Sequence, residues 1–319
     1  MQFPSAVVGD VLIRARLTAG FLEGGRAEST HFKAGPPAVN VASTEIIKLD
    51  DLATADEVDV NPLRAHVTDD YGHPVAGQDI VFTIDSGLAK FKNNKFSGVT
   101  DANGNVDIEL ISKVAGKSRI SATVNGVPFI FNNPVRVTFV ADVPQTGNPA
   151  TKLFLGTNLA RADGIATNSV RAHIVDANGN PVPGTNVTFI IETGTASFAI
   201  TNPVPTDVNG DAIMTFVSTV AGNVRVRASV NGNLIANFIG ISFTAGPPDV
   251  TNTFTGLLVT GNGAIANDIA TNQVTARIRD QYGNAVNLAN VEFFIYQGVG
   301  RLIGITTKKP TRAALYPLI

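Results

Sequence analysis

The sequence predicts an all-β chain of tandem β-sandwich domains set in an elongated array. Three observations point there. The chain repeats itself at a fixed period, its apolar residues alternate with a period of two, and turn-forming Asn-Gly pairs fall between the alternating runs.

The repeat comes first because it decides the architecture. Three segments carry one pattern, ending in RAHVTDDYGHPVAG, RAHIVDANGNPVPG and ARIRDQYGNAV, and their aligned Asp69, Asp176 and Asp280 lie 107 and 104 residues apart. A second pattern, TDANGNVDIELISKVAGKSRISATVNG from Thr100, returns 106 residues later as TDVNGDAIMTFVSTVAGNVRVRASVNG from Thr206. Its tail occurs once more near the N-terminus as VVGDVLIRARLTAG, where Gly9 aligns with Gly116 and Gly222. Phe32-Lys-Ala-Gly-Pro-Pro37 and Phe243-Thr-Ala-Gly-Pro-Pro248 punctuate unit ends, with Phe139-Val-Ala-Asp-Val-Pro144 between them. The expected layout is therefore residues 1–38 as the last strands of a truncated domain, 39–144 and 145–248 as complete domains, and 249–319 as a truncated or diverged one. The last of these lacks the second pattern and runs into RLIGITTKKPTRAALYPLI, which has basic residues and no acidic ones.

Within each repeat, alternation assigns the strands. Val170, Ala172 and Ile174 point one way while Arg171 and His173 point the other. Val187, Phe189 and Ile191 behave alike, matched by Ile80, Phe82 and Ile84 and by Val291, Phe293 and Ile295. Ala212, Met214 and Phe216 continue the pattern, as do Val224, Val226, Ala228 and Val230. Asn103-Gly104, Asn125-Gly126, Asn178-Gly179, Asn209-Gly210 and Asn231-Gly232 supply the turns. About seven short strands per unit, divided this way, predict an immunoglobulin-like sandwich. The Cys and Trp of antibody domains are absent, so that likeness is architectural.

Composition narrows the function. A length of 319 residues suits about three domains, and 44% apolar content can fill their cores. A formal charge of −2 gives no reason to expect nucleic acid as a partner. With no Cys, stability must come from packing rather than disulfides or thiolate metal sites. No apolar run approaches the roughly 18 residues of a spanning helix, so direct membrane insertion is not expected. The N-terminus does not read as a signal peptide, so any export signal is expected on sequence beyond this chain.

The run D-A-N-G-N-P-V-P-G (Asp176 to Gly184) is followed by N-V-T-F (Asn186 to Phe189), T-D-x-N-G (Thr206 to Gly210) and S-T-x-A-G (Ser218 to Gly222). This series resembles the bacterial Ig-like repeat, group 1, which forms the rods of intimin and invasin-type outer-membrane adhesins. The resemblance covers both complete units and part of each end. It implies a surface-exposed stalk, part of a longer exported protein of a Gram-negative bacterium, held by an N-terminal outer-membrane β-barrel. A host-cell receptor or surface glycan would then be met by other parts of that parent protein.

No catalytic, cofactor-binding or metal-ligating set is assigned. Asp101-x-Asn103-x-Asn105, Asp176-x-Asn178-x-Asn180 and Asp207-x-Asn209-x-Asp211 resemble half a calcium loop, but Gly stands fourth instead of sixth and no Glu stands twelfth. They read as hairpin turns held by Asx hydrogen bonds. His66 and His173 occupy equivalent, outward-facing strand positions in separate units and cannot form one site. Asp50-Asp51 and Asp56-Glu57 read as a solvated loop, and the sequon Asn186-Val187-Thr188 falls on a strand. Pro36-Pro37 and Pro247-Pro248 end strands and should limit bending between neighbours.

The reading is a non-enzymatic spacer in a cell-surface adhesin. Two other readings are an array that itself binds host receptor or carbohydrate through its loops, and an accessory module of a secreted enzyme. Met1 aligns near Met214 and Ile319 falls near the same point of the repeat. The ends are thus complementary parts of one sandwich, and head-to-tail self-association is expected.

Overall fold

Alternation gives every strand one apolar face that must be covered, and two stacked sheets per unit cover it. A computed structural model describes residues 2–14, 16–17, 20–21 and 27–304. The strands begin with β1 (Gly9–Ile13), β2 (Arg16–Leu17), β3 (Gly20–Phe21) and β4 (Glu28–Phe32). A full sandwich follows, built from β5 (Glu45–Lys48), β6 (Ala53–Thr54), β7 (Asn61–His66), β8 (Asp79–Ser86), β9 (Lys90–Phe91), β10 (Ser97–Val99), β11 (Asn105–Ile111), β12 (Gly116–Val124), β13 (Val127–Pro128) and β14 (Val135–Val140). A second uses β15 (Lys152–Leu155), β16 (Asn168–His173), β17 (Asn186–Thr193), β18 (Ser197–Phe198), β19 (Val204–Pro205), β20 (Asp211–Val217), β21 (Gly222–Val230), β22 (Asn233–Leu234) and β23 (Ile239–Phe243). Then come β24 (Gly256–Gly261) and β25 (Gln273–Arg277). Most of the basic tail, from residue 305, lies outside the described residues.

In the first sandwich the sheet β5-β7-β11-β9 faces the sheet β10-β8-β12-β14-β6, with β13 paired to β12. The second repeats this as β15-β16-β20-β18 against β19-β17-β21-β22, with β23 paired to β21. Pairing is antiparallel except between β14 and β6. Register is preserved between repeats. Gly116 pairs with Phe139 and Gly222 with Phe243, and Gly9 pairs with Phe32 in the same way. Glu45 lies opposite His66, Lys152 opposite His173 and Gly256 opposite Arg277. The pair β1–β4 therefore corresponds to β12–β14 and β21–β23, while β24–β25 corresponds to β5–β7 and β15–β16.

Each sandwich buries its own core. Leu63, Phe82, Ile120 and Phe139 fill the first, and Val170, Phe189, Met214, Phe216 and Val226 fill the second. A fully buried side chain of this size contributes about 1.5–3 kcal/mol. Arg171 and His173 face outward, as the alternation requires, yet they are not merely solvated. Arg171 and His173 both meet Asp211 at 2.7 Å, and His66 meets Asn105 at 2.7 Å across β7 and β11. Val291, Phe293 and Ile295 depart from expectation, because no strand forms there among the described residues. In complete units this segment pairs with the strand equivalent to β12 or β21, and among the described residues of the last unit it has no such neighbour to supply the ladder.

The Asn-Gly turns divide into two kinds. At Asn125-Gly126 and Asn231-Gly232 both residues have positive φ, as the tight hairpins β12–β13 and β21–β22 demand. At positions 103–104, 178–179 and 209–210 only the glycine does. Gly104 (φ 74°) and Gly210 (φ 73°) also press against the chain, since a Cβ there would sit 2.4 Å from the carbonyl oxygen of Val67 or Ile174. Gly179 (φ 87°) has open space. Gly179→Ala should thus cost about 1–2 kcal/mol from backbone conformation alone, whereas Gly210→Ala should cost more than about 3 kcal/mol because the clash adds to it. Urea unfolding of the two variants checks the difference, and equal losses would contradict this account.

Candidate functional site at the junctions between units

The Asp-x-x-Gly-x turn that follows β7, β16 and β25 places Asp69, Asp176 and Asp280 where one unit meets the next. All three are buried, at 3%, 0% and 1% exposure. A carboxylate out of water is costly unless its lone pairs are filled. In each, Oδ1 accepts from the backbone N–H groups two and four residues on. The distances are 2.9 and 2.9 Å for Asp69, 2.8 and 2.9 Å for Asp176, and 3.0 and 2.8 Å for Asp280. For Asp176 these are the Asx bonds the sequence predicts, and Asp69 and Asp280 make the same ones.

The second oxygen does something else. Oδ2 accepts from the chain leaving the preceding unit, namely Gly35 N–H at 2.8 Å, Asp142 N–H at 3.0 Å and Gly246 N–H at 2.8 Å. It also meets the side chain four residues ahead, at 3.1 Å for His73 Nδ1 and 2.9 Å for both Asn180 and Asn284 Nδ2. The same carboxylate thus ties its own turn to the connecting strand. The prolines after Gly35 and Gly246 sit directly beyond this anchor, where a fixed φ keeps the connection short.

Asn180 and Asn284 then reach backward into the preceding sandwich. Asn180 Nδ2 donates to the Lys113 carbonyl at 3.1 Å, and its Oδ1 accepts from Ala115 N–H at 2.8 Å. Asn284 repeats this with the Thr219 carbonyl at 3.0 Å and Ala221 N–H at 2.7 Å. The side chain two residues after the aspartate adds another bond. Asn178 Nδ2 donates to the Ala55 carbonyl at 3.0 Å, and the Tyr282 hydroxyl donates to the Asp163 carbonyl at 3.1 Å. The S-x-x-A-G loop (Ser112 to Gly116 and Ser218 to Gly222) and the D-x-x-G-N turn are therefore two halves of one clasp.

Burial works to raise the Asp69 carboxyl, but it is outweighed by the Gly35 N–H, the N–H and ring of His73, and the Tyr71 N–H. They hold it well below the ordinary carboxylate range. For Asp280, burial is likewise outweighed by the Asn284 side chain and the N–H groups of Gly246, Asn284 and Tyr282.

The remaining candidates stay local. Asp101 and Asp207 accept only from their own turns, at Asn103, Asn105, Asn209 and Asp211. Asp51 accepts from the Leu52 and Thr138 N–H groups and from Lys48, Asp56 from Val58 and Asp59, and Glu57 pairs with Lys90. Asn186 is exposed at the start of β17. Among the described residues no group of three His, Cys, Asp or Glu side chains is placed to hold a metal, and no helix is long and apolar enough to cross a membrane. A cleft of about 280 Å³ lies beside Arg161, Pro247, Pro248 and Tyr282. Sequence reasoning found these turns but missed their reach across the joint. The available signal was the recurrence of Asn at the fourth place, which an Asx turn alone does not need.

Residues 45–140 and 150–244 match the bacterial Ig-like domain (group 1). The chain is 27% identical over 282 residues to the inverse autotransporter adhesin YeeJ of Escherichia coli K12, covering 86% of this chain and 11% of that protein. It thus spans about a tenth of that relative's length. Its fold is similar to that of FdeC, an Escherichia coli adhesin, with a TM-score of 0.62, 20% identity, and 81% and 79% of the two chains covered. The Yersinia pseudotuberculosis InvD structure gives a TM-score of 0.58 at 17% identity, covering 76% of this chain and 71% of that one.

Acid should loosen the junctions. Because Asp69 and Asp280 bind their protons less readily in the folded chain than in the unfolded one, their contribution is complete above the unfolded value of about 4. It is lost as pH falls toward the lower folded values. Thermal unfolding should hold steady between about pH 7 and 5 and decline below about pH 4. Asp280→Asn should lower stability at neutral pH and decline less in acid; an unchanged acid slope would count against this role.

Proposed function

The chain belongs to the bacterial Ig-like domain (group 1) family, and on that premise we propose that it is a non-catalytic stalk segment of a bacterial cell-surface adhesin. Residues 39–144 and 145–248 are its complete units, flanked by residues 1–38 and 249–319 as parts of two more. The segment stands outside the outer membrane of a Gram-negative bacterium within a longer exported protein, and holds that protein's receptor- or glycan-binding parts away from the cell.

The observation that carries this reading is the repeated junction. Asp176 and Asp280 make the same bonds to the preceding unit through equivalent residues, so the second and third junctions are built alike. A column stiffens when each joint repeats a short, hydrogen-bonded contact, and contacts between neighbours suffice for a repeat array. Small-angle scattering of residues 39–248 should give an elongated pair with a maximum dimension near twice that of one sandwich. A compact profile would sink the proposal.

We also propose that chains of this sequence associate head to tail. Leu257 and Val274 are 69% and 47% exposed, whereas their equivalents Leu153 and Val170 are 2% and 0% exposed. In complete units the sheet containing β12–β14 or β21–β23 lies over that face, and β1–β4 carries the same pair in the same register. Light scattering should show mass rising through micromolar concentrations, and Leu257→Asp should suppress it. A mass fixed at one chain throughout that range would refute the association.

A further inference from the structure

The three junctions share the buried aspartate but differ in the residue four places after it: His73, Asn180 and Asn284. That residue carries the clasp. A primary amide offers two N–H donors and a carbonyl oxygen on one carbon, and Asn180 uses all three. One N–H goes to Asp176, the other to the Lys113 carbonyl, and the oxygen takes Ala115 N–H. Asn284 spends its amide in the same way.

Imidazole cannot do this. Its two nitrogens lie on different sides of a rigid ring, and His73 spends Nδ1 on Asp69. Only Nε2 remains, and it can serve at most one of the two backward bonds. By the repeat alignment the backbone groups awaiting them are the Ala6 carbonyl and Val8 N–H, the equivalents of Lys113 and Ala115. Among the described residues His73 bonds only to Asp69, and Val8 is 37% exposed. A cleft of about 210 Å³ opens in that place, lined by Ala6, Val8, Lys33, Tyr71 and His73. The Gly35 bond to Asp69 is kept, so the connecting strand stays anchored while the backward clasp is absent.

We propose that the residue four positions after the buried aspartate sets the stiffness of each joint, and that His73 makes the first joint compliant where Asn180 makes the second rigid. The inference concerns the joints themselves and stands whether or not the array serves as a spacer. Different joint residues would let one array hold straight sections and bends at fixed places.

Exchanging the two residues in the full chain tests it. The chain has no Cys, so a pair introduced on the outer strands of neighbouring units reports one distance by spin labelling. Asn180→His should broaden the distance distribution across the second joint and speed amide exchange at Ala115 by roughly tenfold, the equivalent of one lost hydrogen bond. His73→Asn should slow exchange at Val8 by roughly the same factor. The Asn180→His arm lies between two complete cores, so incomplete folding of residues 1–38 does not bear on it. Should Asn180→His unfold its unit, the protection gained at Val8 in His73→Asn decides. Unchanged distance widths and exchange in the first variant, or no gain at Val8 in the second, would overturn the proposal.

Discussion

A carboxylate buried between two units is the constraint on which the array depends. Asp176 has no exposed surface, so every lone pair it carries must be met by a donor held in place. Two donors come from its own turn, one from the connecting strand and one from Asn180. Moving the neighbouring unit would strip away the Asp142 bond and disturb the donor set around the buried carboxylate. The cost of that loss exceeds the modest net value of the bond itself. The present arrangement of the two units keeps those donors in place.

The sandwiches serve this joint by fixing what faces it. The carbonyl of Lys113 and the N–H of Ala115 belong to the loop between β11 and β12, which Ser112 braces by donating to the Val114 carbonyl and accepting Val114 N–H. Ser218 does the same for the loop before β21. The turn on the other side is seated by Gly104 and Gly210, whose carbonyls accept from Val67 and Ile174 at the foot of the aspartate strand. Core packing sets the strands, the strands set these loops, and the loops present paired donors and acceptors at a fixed separation.

Much of this was legible in the sequence, and what was not has a physical cause. Alternation at Val170, Ala172 and Ile174 identifies the buried face because a strand's side chains obey a period of two regardless of partner. The Asx turns at Asp101, Asp176 and Asp207 were readable because their bonds are local. The clasp was not, since Asn180 and Lys113 are 67 residues apart and neither residue type announces a contact. The failure at Val291 to Ile295 is of the same kind. Alternation describes a strand's faces, but a strand needs a neighbour, and periodicity is silent about whether one is present.

The clasp is built from neutral amides and backbone groups. Ion pairs reach the edge of the joint, where Lys113 Nζ lies 3.8 Å from Glu57, and others lie on outer sheet faces, where Arg64 meets Asp107 with substantial solvent access. Such pairs contribute about 0–1 kcal/mol and fade as salt screens them. A joint built from them would soften with ionic strength. Asn180 and Asn284 carry no charge, and their partners across the joint are backbone groups, so their bonds are little affected by screening. The aspartate at the centre is charged, and it is enclosed by donors. Since each unit interacts chiefly with its neighbours, a small salt-dependent loss at one joint would be repeated at every joint and would accumulate along the array. Burying the charge among fixed donors, and using neutral groups for the contacts between units, limits that accumulation.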